Sequence, residues 1–262
     1  MRTNLHGMVA APVVAVVGVW DPFRPSHEAL LTELCKVSRT SGRSSLAVLI
    51  DPAPGSVSAV MHSYGTNGWP VYDSVPVRVR LIQGLGVDAV LCVRFRRHDF
   101  AATAADFLDV VRARVQLGEL WLGERQFLGP GPAGSPAAVA EYARVHGIGL
   151  RVLPRAPLTV YDERLLLAEG RLEMAIDQVG RPPTRMRPRS PMMRLAWRAG
   201  QYRARPLDRP GAPAYGAHVD LELIAHPHAP GTLIWPDHDF RFLAFVSGPA
   251  DLDALQAARS RH

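Results

Sequence analysis

The sequence predicts an α/β fold: a doubly wound parallel sheet followed by a small C-terminal β unit. Three observations predict it. Val13–Val14–Ala15–Val16–Val17–Gly18 is an uninterrupted apolar run ending in glycine, the pattern of a strand buried on both faces. Short apolar runs at 45–50, 89–93, 117–122 and 149–153 alternate with amphipathic helical patterns, as in successive βα units. Past residue 199 the helical patterns give way to strand-like runs at 201–205, 217–224, 231–235 and 240–246, separated by Pro and Gly turns.

Each element follows from local chemistry. Ser26 can cap a helix that begins at His27 and runs to Ser38, with Leu30, Leu31, Leu34 and Val37 on one stripe and Gly42 ending it. Ser45–Ile50 is the second buried strand. The stretch from Asp51 to Val75 is rich in Pro, Gly and Ser and longer than an ordinary connection, which favours a functional loop. Within it, Trp69 and Tyr72 either stack on a flat ring or anchor the loop to the body. A short helix spans Val77–Leu85, a strand Ala89–Val93, a helix Ala104–Val115 and a strand Leu117–Leu122. Pro136 suits the first turn of a helix reaching His146, and Gly149–Leu153 is the fifth strand. Ligands of such a sheet bind at the carboxyl ends of the strands, with the switch point beside the first.

Thr159 stands three residues before Asp162, a capping-box-like start for a helix Val160–Ala175 with Leu165, Leu166, Leu172 and Ile176 on its stripe. Pro182, Pro183, Pro188 and Pro191, interleaved with Arg181, Arg185, Arg187, Arg189 and Arg194, read as a basic linker. The expected organisation is therefore a domain over 1–180, a linker over 181–198 and a β unit over 199–262.

Composition narrows the function. Of 262 residues 47% are hydrophobic, enough for a folded core. No apolar run is long enough to span a membrane and no secretory leader is present, so the expectation is a cytoplasmic protein without a membrane partner. Cys35 falls in a helix pattern and Cys92 in a strand, where thiols act as small core groups. The formal charge of +6 comes without a stacking or groove-reading motif, so nucleic acid is not the expected partner. Every cation but Lys36 is arginine, which with the Ala, Pro and Gly content is the coding bias of a GC-rich bacterium. Arginine grips phosphate and carboxylate as a rigid fork, so the expected partner is an anionic or flat polar small molecule. His226, His228, Asp237, His238 and Asp239 are metal-binding types, but Pro227 and Pro230 make the stretch a turn, and no metal site is assigned. Gly129–Pro130–Gly131–Pro132 lacks the lysine of a phosphate-cradling loop.

The first strand, its loop and the helix after it form a corner where backbone N–H groups and the helix dipole can hold an anion. There, Gly18–Val19–Trp20–Asp21 with His27 six residues on resembles the Gly-x-Phe-Asp-Gly-x-His-x-Gly-His stretch of bacterial FAD synthetases, members of the His-x-Gly-His nucleotidyltransferases. The resemblance continues through Ile50–Asp51–Pro52–Ala53–Pro54, Arg78, Leu85–Gly86–Val87–Asp88, Thr103–Ala104–Ala105–Asp106–Phe107, Gly123–Glu124 to Gly129, and Arg164 with Ala168–Glu169–Gly170. It covers residues 12–185. It implies ATP with Mg, or a flavin, as ligands; the residues alone name no cofactor. It further implies catalytic roles for Asp21, Arg24, His27 and Arg164, and binding roles for Gly18, Trp20, Ser26, Asp51, Gly123, Thr159 and Tyr161.

Several positions depart from the family pattern. His27 matches the second motif histidine, but Arg24 stands in the first histidine's place, and Pro22 and Ser26 replace the two glycines. Arginine cannot titrate near neutrality, proline removes an N–H, and serine adds a side chain where backbone must approach a nucleotide. Of the family's Ser-Ser-Thr-x-x-Arg, Thr159–Val160–Tyr161–Asp162–Glu163–Arg164 keeps one hydroxyl and the arginine; Ala53 takes the place of a histidine. Ala199–Gly200–Gln201–Tyr202–Arg203–Ala204 resembles a strand of the family's riboflavin kinase barrel, yet the kinase's Gly-rich loop and Pro-Thr-Ala-Asn motif have no counterpart. The reading is a repurposed pocket: a small-molecule enzyme, in specialised metabolism, with weak or absent FMN adenylylation. An active FMN adenylyltransferase and a non-catalytic flavin- or nucleotide-binding paralogue are the alternatives. Oligomeric state is not legible.

Overall fold

In a computed structural model the described residues are 1–9, 11–52, 72–95, 99, 101–124, 126–154, 166–167, 169–186, 192–195, 197, 200–207, 219–226, 229–234, 242–249 and 251. They belong to two compact units that alternate along the chain. One contains Met1–Trp20, Pro25–Ser56 and Ile82–Leu158; the other contains Asp21–Arg24, Val57–Leu81 and Thr159–His262.

The first unit holds β1 (Arg2–Gly7), β2 (Val13–Gly18), α1 (Pro25–Thr40) and β3 (Ser44–Pro52), and the end of α2 (Val75–Gly84). It continues with β4 (Ala89–Phe95), α3 (Ala104–Arg112), β5 (Leu117–Gly123), α4 (Pro136–Val145) and β6 (Gly149–Leu153). The strand order β1-β4-β3-β2-β5-β6, parallel except for β1, is the doubly wound sheet the apolar runs predict. Its core joins strand residues such as Val13, Leu46, Val48, Leu91 and Leu120 to Phe107, Leu108 and Val111 of α3 and Val139 of α4.

Two details correct the sequence reading here. The helix after β2 begins at Pro25, so Ser26 lies inside its first turn and does not cap it. Proline is favoured at the first helical position because that residue's N–H would have no intrahelical acceptor. The antiparallel edge strand β1 was not expected, because its Arg-Thr-Asn-Leu-His-Gly sequence carries no apolar run.

Gly129 has φ +148°, and a Cβ there would stand 2.5 Å from the carbonyl oxygen of Ala102. Gly129→Ala therefore meets both a backbone penalty and a clash with main chain. It is expected to lower stability by about 1–3 kcal/mol in urea unfolding; a change within experimental error would contradict the placement of this turn.

The second unit holds the start of α2, α5 (Leu172–Val179), and β7 (Thr184–Met186), β8 (Met192–Leu195), β9 (Gly200–Leu207), β10 (Val219–His226), β11 (Ala229–Ile234) and β12 (Phe242–Ser247). These strands form an antiparallel sheet in the order β7-β12-β9-β10-β11-β8. The outermost strands, β7 and β8, come from the Pro- and Arg-rich stretch 181–198. Edge positions accept such a sequence because one side of the strand needs no ladder partner. Trp197, Tyr202 and Phe245 pack with ring centroids 5.1 to 6.1 Å apart against Leu166, Leu167 and Leu172. The helix expected over Val160–Ala175 is broken at Gly170, which turns at φ +75°. A new helix, α5, starts at Leu172, where the Asp251 carboxylate accepts the N–H groups of Leu172 (2.9 Å) and Glu173 (3.3 Å). Residues 155–165 lie outside the described set.

Candidate functional site

The carboxyl end of the parallel sheet splits. β2 stays paired with β3 as far as Gly18↔Leu49, and β5 with β6 as far as Gly123↔Leu153, but the β2–β5 ladder stops at Val16↔Trp121. The last residues of β2 and β5 thus part company beside the first parallel strand, where a doubly wound sheet opens its ligand crevice. A carboxamide bridges the gap. Gln126 Nε2 donates to the Val17 carbonyl at 3.1 Å, and its Oε1 accepts the Gly123 N–H at 3.3 Å.

At the end of β2, Trp20 takes φ +56°, a left-handed conformation rare for a bulky residue. Its indole is buried and donates to the Val48 carbonyl at 3.2 Å. Gly18 makes room for that ring, since a Cβ on it would lie 2.7 Å from the indole Cε2. The His27 ring meets the indole edge-on, with centroids 5.2 Å apart and planes at 78°. His27 and the exposed Ser26 both lie in the first turn of α1, where Pro25 contributes no N–H donor. Asp51, at the end of β3, accepts from Arg94 Nε of β4 at 2.8 Å. The unit therefore gathers Gly18, Trp20 and His27, ties Gly123 to Gln126, and engages Asp51 with a neighbouring strand.

Asp21 and Arg24 belong to the other unit. The Asp21 carboxylate accepts the N–H groups of Tyr72 (2.9 Å) and Asp73 (2.7 Å). Asp73, fully buried, in turn receives both terminal nitrogens of Arg181 and the Thr184 N–H (3.1 Å). Arg181 Nε donates to the Phe23 carbonyl at 3.1 Å, and Arg185 donates to the Tyr72 carbonyl at 2.6 Å. Burial pulls the Arg181 guanidinium down, but Asp73 outweighs it and the net shift is upward. Burial lowers Arg185 to about 10 despite Asp73 and Asp21 nearby. Tyr72 is an anchor: its ring is in the core of the unit and its hydroxyl donates to the Arg181 carbonyl.

Arg164, Thr159, Tyr161 and Trp69 lie outside the described residues, as do His228 and Asp237–Asp239. Among the described residues no group of three or more His, Cys, Asp or Glu gathers to hold a metal ion. Asp21 and Asp51 are both engaged by protein donors. The described arrangement can present an imidazole, the first-turn N–H groups of a helix and a split strand pair to a polar ligand.

Sequence reasoning missed Gln126, whose only signal is a polar residue shortly after the glycine that ends a switch-point strand. It also read Arg181 and Arg185 as linker charges.

A parallel sheet split at its switch point, with a helix opening just past its first buried strand, is the doubly wound arrangement of a nucleotidyltransferase-like α/β fold. The family model for FAD synthetase matches residues 8–163, and the chain belongs to the FAD synthetase family. It is 26% identical over 186 residues to the bifunctional riboflavin kinase/FMN adenylyltransferase of Escherichia coli strain K12, covering 64% of this chain and 58% of the relative. The counterpart from Shigella flexneri matches equally. The chain thus spans less than two thirds of these relatives. Among solved structures, the macrolide-efflux protein from Streptococcus pneumoniae matches with a TM-score of 0.61 at 13% identity, over 97% of this chain and 94% of that one, a likeness of fold alone. No helix among the described residues is long and apolar enough to cross a membrane.

Proposed function

We propose that the protein is a repurposed member of its family, a small-molecule enzyme that binds an anionic or flat polar ligand at the carboxyl end of the first sheet and adenylylates FMN weakly or not at all. The observation that carries this reading is the corner after β2. His27 is kept in the first turn of α1 with its ring against Trp20, while in the sequence Pro22 and Ser26 stand where the family has glycines and Arg24 where it has a histidine. A binding surface survives; the donor set that handles a triphosphate does not. Arg24, Arg164 and Tyr161 belong to the site through the resemblance in sequence. The same reading sets the protein in the cytoplasm of a GC-rich bacterium, in specialised metabolism, without a nucleic-acid or membrane partner.

Ligand binding to the folded state raises apparent stability, by about 2.7 kcal/mol at a hundredfold excess over Kd. The melting temperature is therefore expected to rise by several degrees with at least one of ATP, pyrophosphate and FMN, and by less in His27→Ala. A flat response of the wild-type protein to all three would overturn the reading.

Riboflavin phosphorylation is a separate expectation, because the chain lacks the kinase's Gly-rich loop and Pro-Thr-Ala-Asn motif. Incubation with riboflavin and MgATP should give no FMN above a protein-free control. FMN at roughly 1 turnover per second, within the ordinary enzyme range, would contradict it.

A further inference from the structure

The split between β2 and β5 is bridged by a side chain whose hydrogen bonds have a particular form. Gln126 offers one donor and one acceptor from a single planar carboxamide, to the Val17 carbonyl (3.1 Å) and the Gly123 N–H (3.3 Å). The backbone N–H of Gln126 also donates to the Gly123 carbonyl at 2.9 Å, so a tight turn after β5 brings the side chain back into the opening. Beyond Val16↔Trp121 the β2–β5 ladder no longer pairs these backbone groups, and the carboxamide does so instead.

A flat ring with a donor and an acceptor side by side has the same edge: the amino and ring nitrogens of adenine, or the N–H and carbonyl of the pyrimidine ring of an isoalloxazine. We propose that Gln126 occupies the hydrogen-bonding place of such a ring edge at the switch point, and that it sets ligand affinity by competing for the Val17 carbonyl and the Gly123 N–H. This rests on the reading that the crevice binds a nucleotide or flavin. A ligand that seats there must displace the carboxamide, and each exchanged hydrogen bond weighs against binding. The side chain is a determinant of affinity and specificity, and it takes part in no bond-making step.

The test is fluorescence titration of FMN and calorimetric titration of the ATP analogue AMPPNP, using the full chain as wild type, Gln126→Ala and Gln126→Leu. Circular dichroism melts check that each variant is folded. Gln126→Ala frees both backbone groups and opens space, and should tighten one of the two ligands by about tenfold. Which ligand gains identifies the ring edge, adenine or isoalloxazine. Gln126→Leu frees the same groups but keeps the opening filled, and should show no gain. A structural clip alone predicts the reverse: loosening the end of β5 would weaken binding in both variants. Weaker or unchanged binding in Gln126→Ala, with wild-type binding intact, overturns the competition and leaves the proposed function standing. Absence of binding by wild type and variants alike overturns both.

Discussion

Replacing Asp73 with alanine is expected to remove about 3–5 kcal/mol of stability, because it takes one partner out of a buried, charged network and leaves the others in place. Asp73 has no exposed surface; it binds Arg181 through both terminal nitrogens and accepts the Thr184 N–H at 3.1 Å. It also stabilises the charge on Arg185, which burial lowers to about 10. Because Arg185 has a lower value in the folded chain than the ordinary guanidinium, its charge opposes folding at pH values below about 10, and Asp73 and Asp21 offset that opposition. Without Asp73, two guanidinium groups face the interior with less compensation. Asp73→Asn keeps an acceptor for Thr184 and should fall between alanine and wild type. The control is Arg144→Ala: Arg144 and Glu141 approach to 2.6 Å but are 72% and 62% exposed, and losing such a pair is expected to change stability by less than about 1 kcal/mol. Urea unfolding of the three variants checks the set. An Asp73→Ala protein within about 1 kcal/mol of wild type would show that water already solvates these groups.

The parallel sheet was legible because strands buried on both faces must be apolar throughout, and Val13–Gly18, Ala89–Phe95 and Leu117–Gly123 announce themselves that way. Strands outside that rule stayed hidden. β1 carries polar residues on an exposed edge, and β7 and β8 lie among prolines and arginines that read as irregular chain. The start of α1 was misplaced by one turn feature: Ser26 is a good cap, but Pro25 before it is a better first residue. Gly170 breaks a helical stripe that periodicity alone carries across it.

The resemblance pointed to the end of β2, and the structure adds what the described residues there touch. Trp20 is a buried support against which His27 rests, with Gly18 accommodating it. The Asp21–Asp73–Arg181–Arg185 network had no local signal, because its partners are far apart in sequence, and Gln126 had only its place shortly after the glycine that ends β5. A carboxylate at position 21 that holds the backbone of residues 72 and 73, or an arginine at 185 buried against Tyr72, is visible only once the chain is folded.

The rate of FMN adenylylation tests the central claim most directly. Adenylyl transfer depends on donors preorganised around the phosphates, and loss of one such donor commonly lowers the rate by about a hundred- to a thousandfold. By the resemblance in sequence, Pro22, Arg24, Ser26 and Tyr161 stand where the family has phosphate-handling residues, and Pro25 deprives the first turn of α1 of an N–H. Purified protein incubated with FMN and MgATP, sampled over time and separated by chromatography, is expected to form FAD at least about a hundredfold below 1 turnover per second, if it forms any. FAD accumulating at about 1 per second would show that the pocket still performs the family's ordinary reaction, and would contradict the account of a repurposed site.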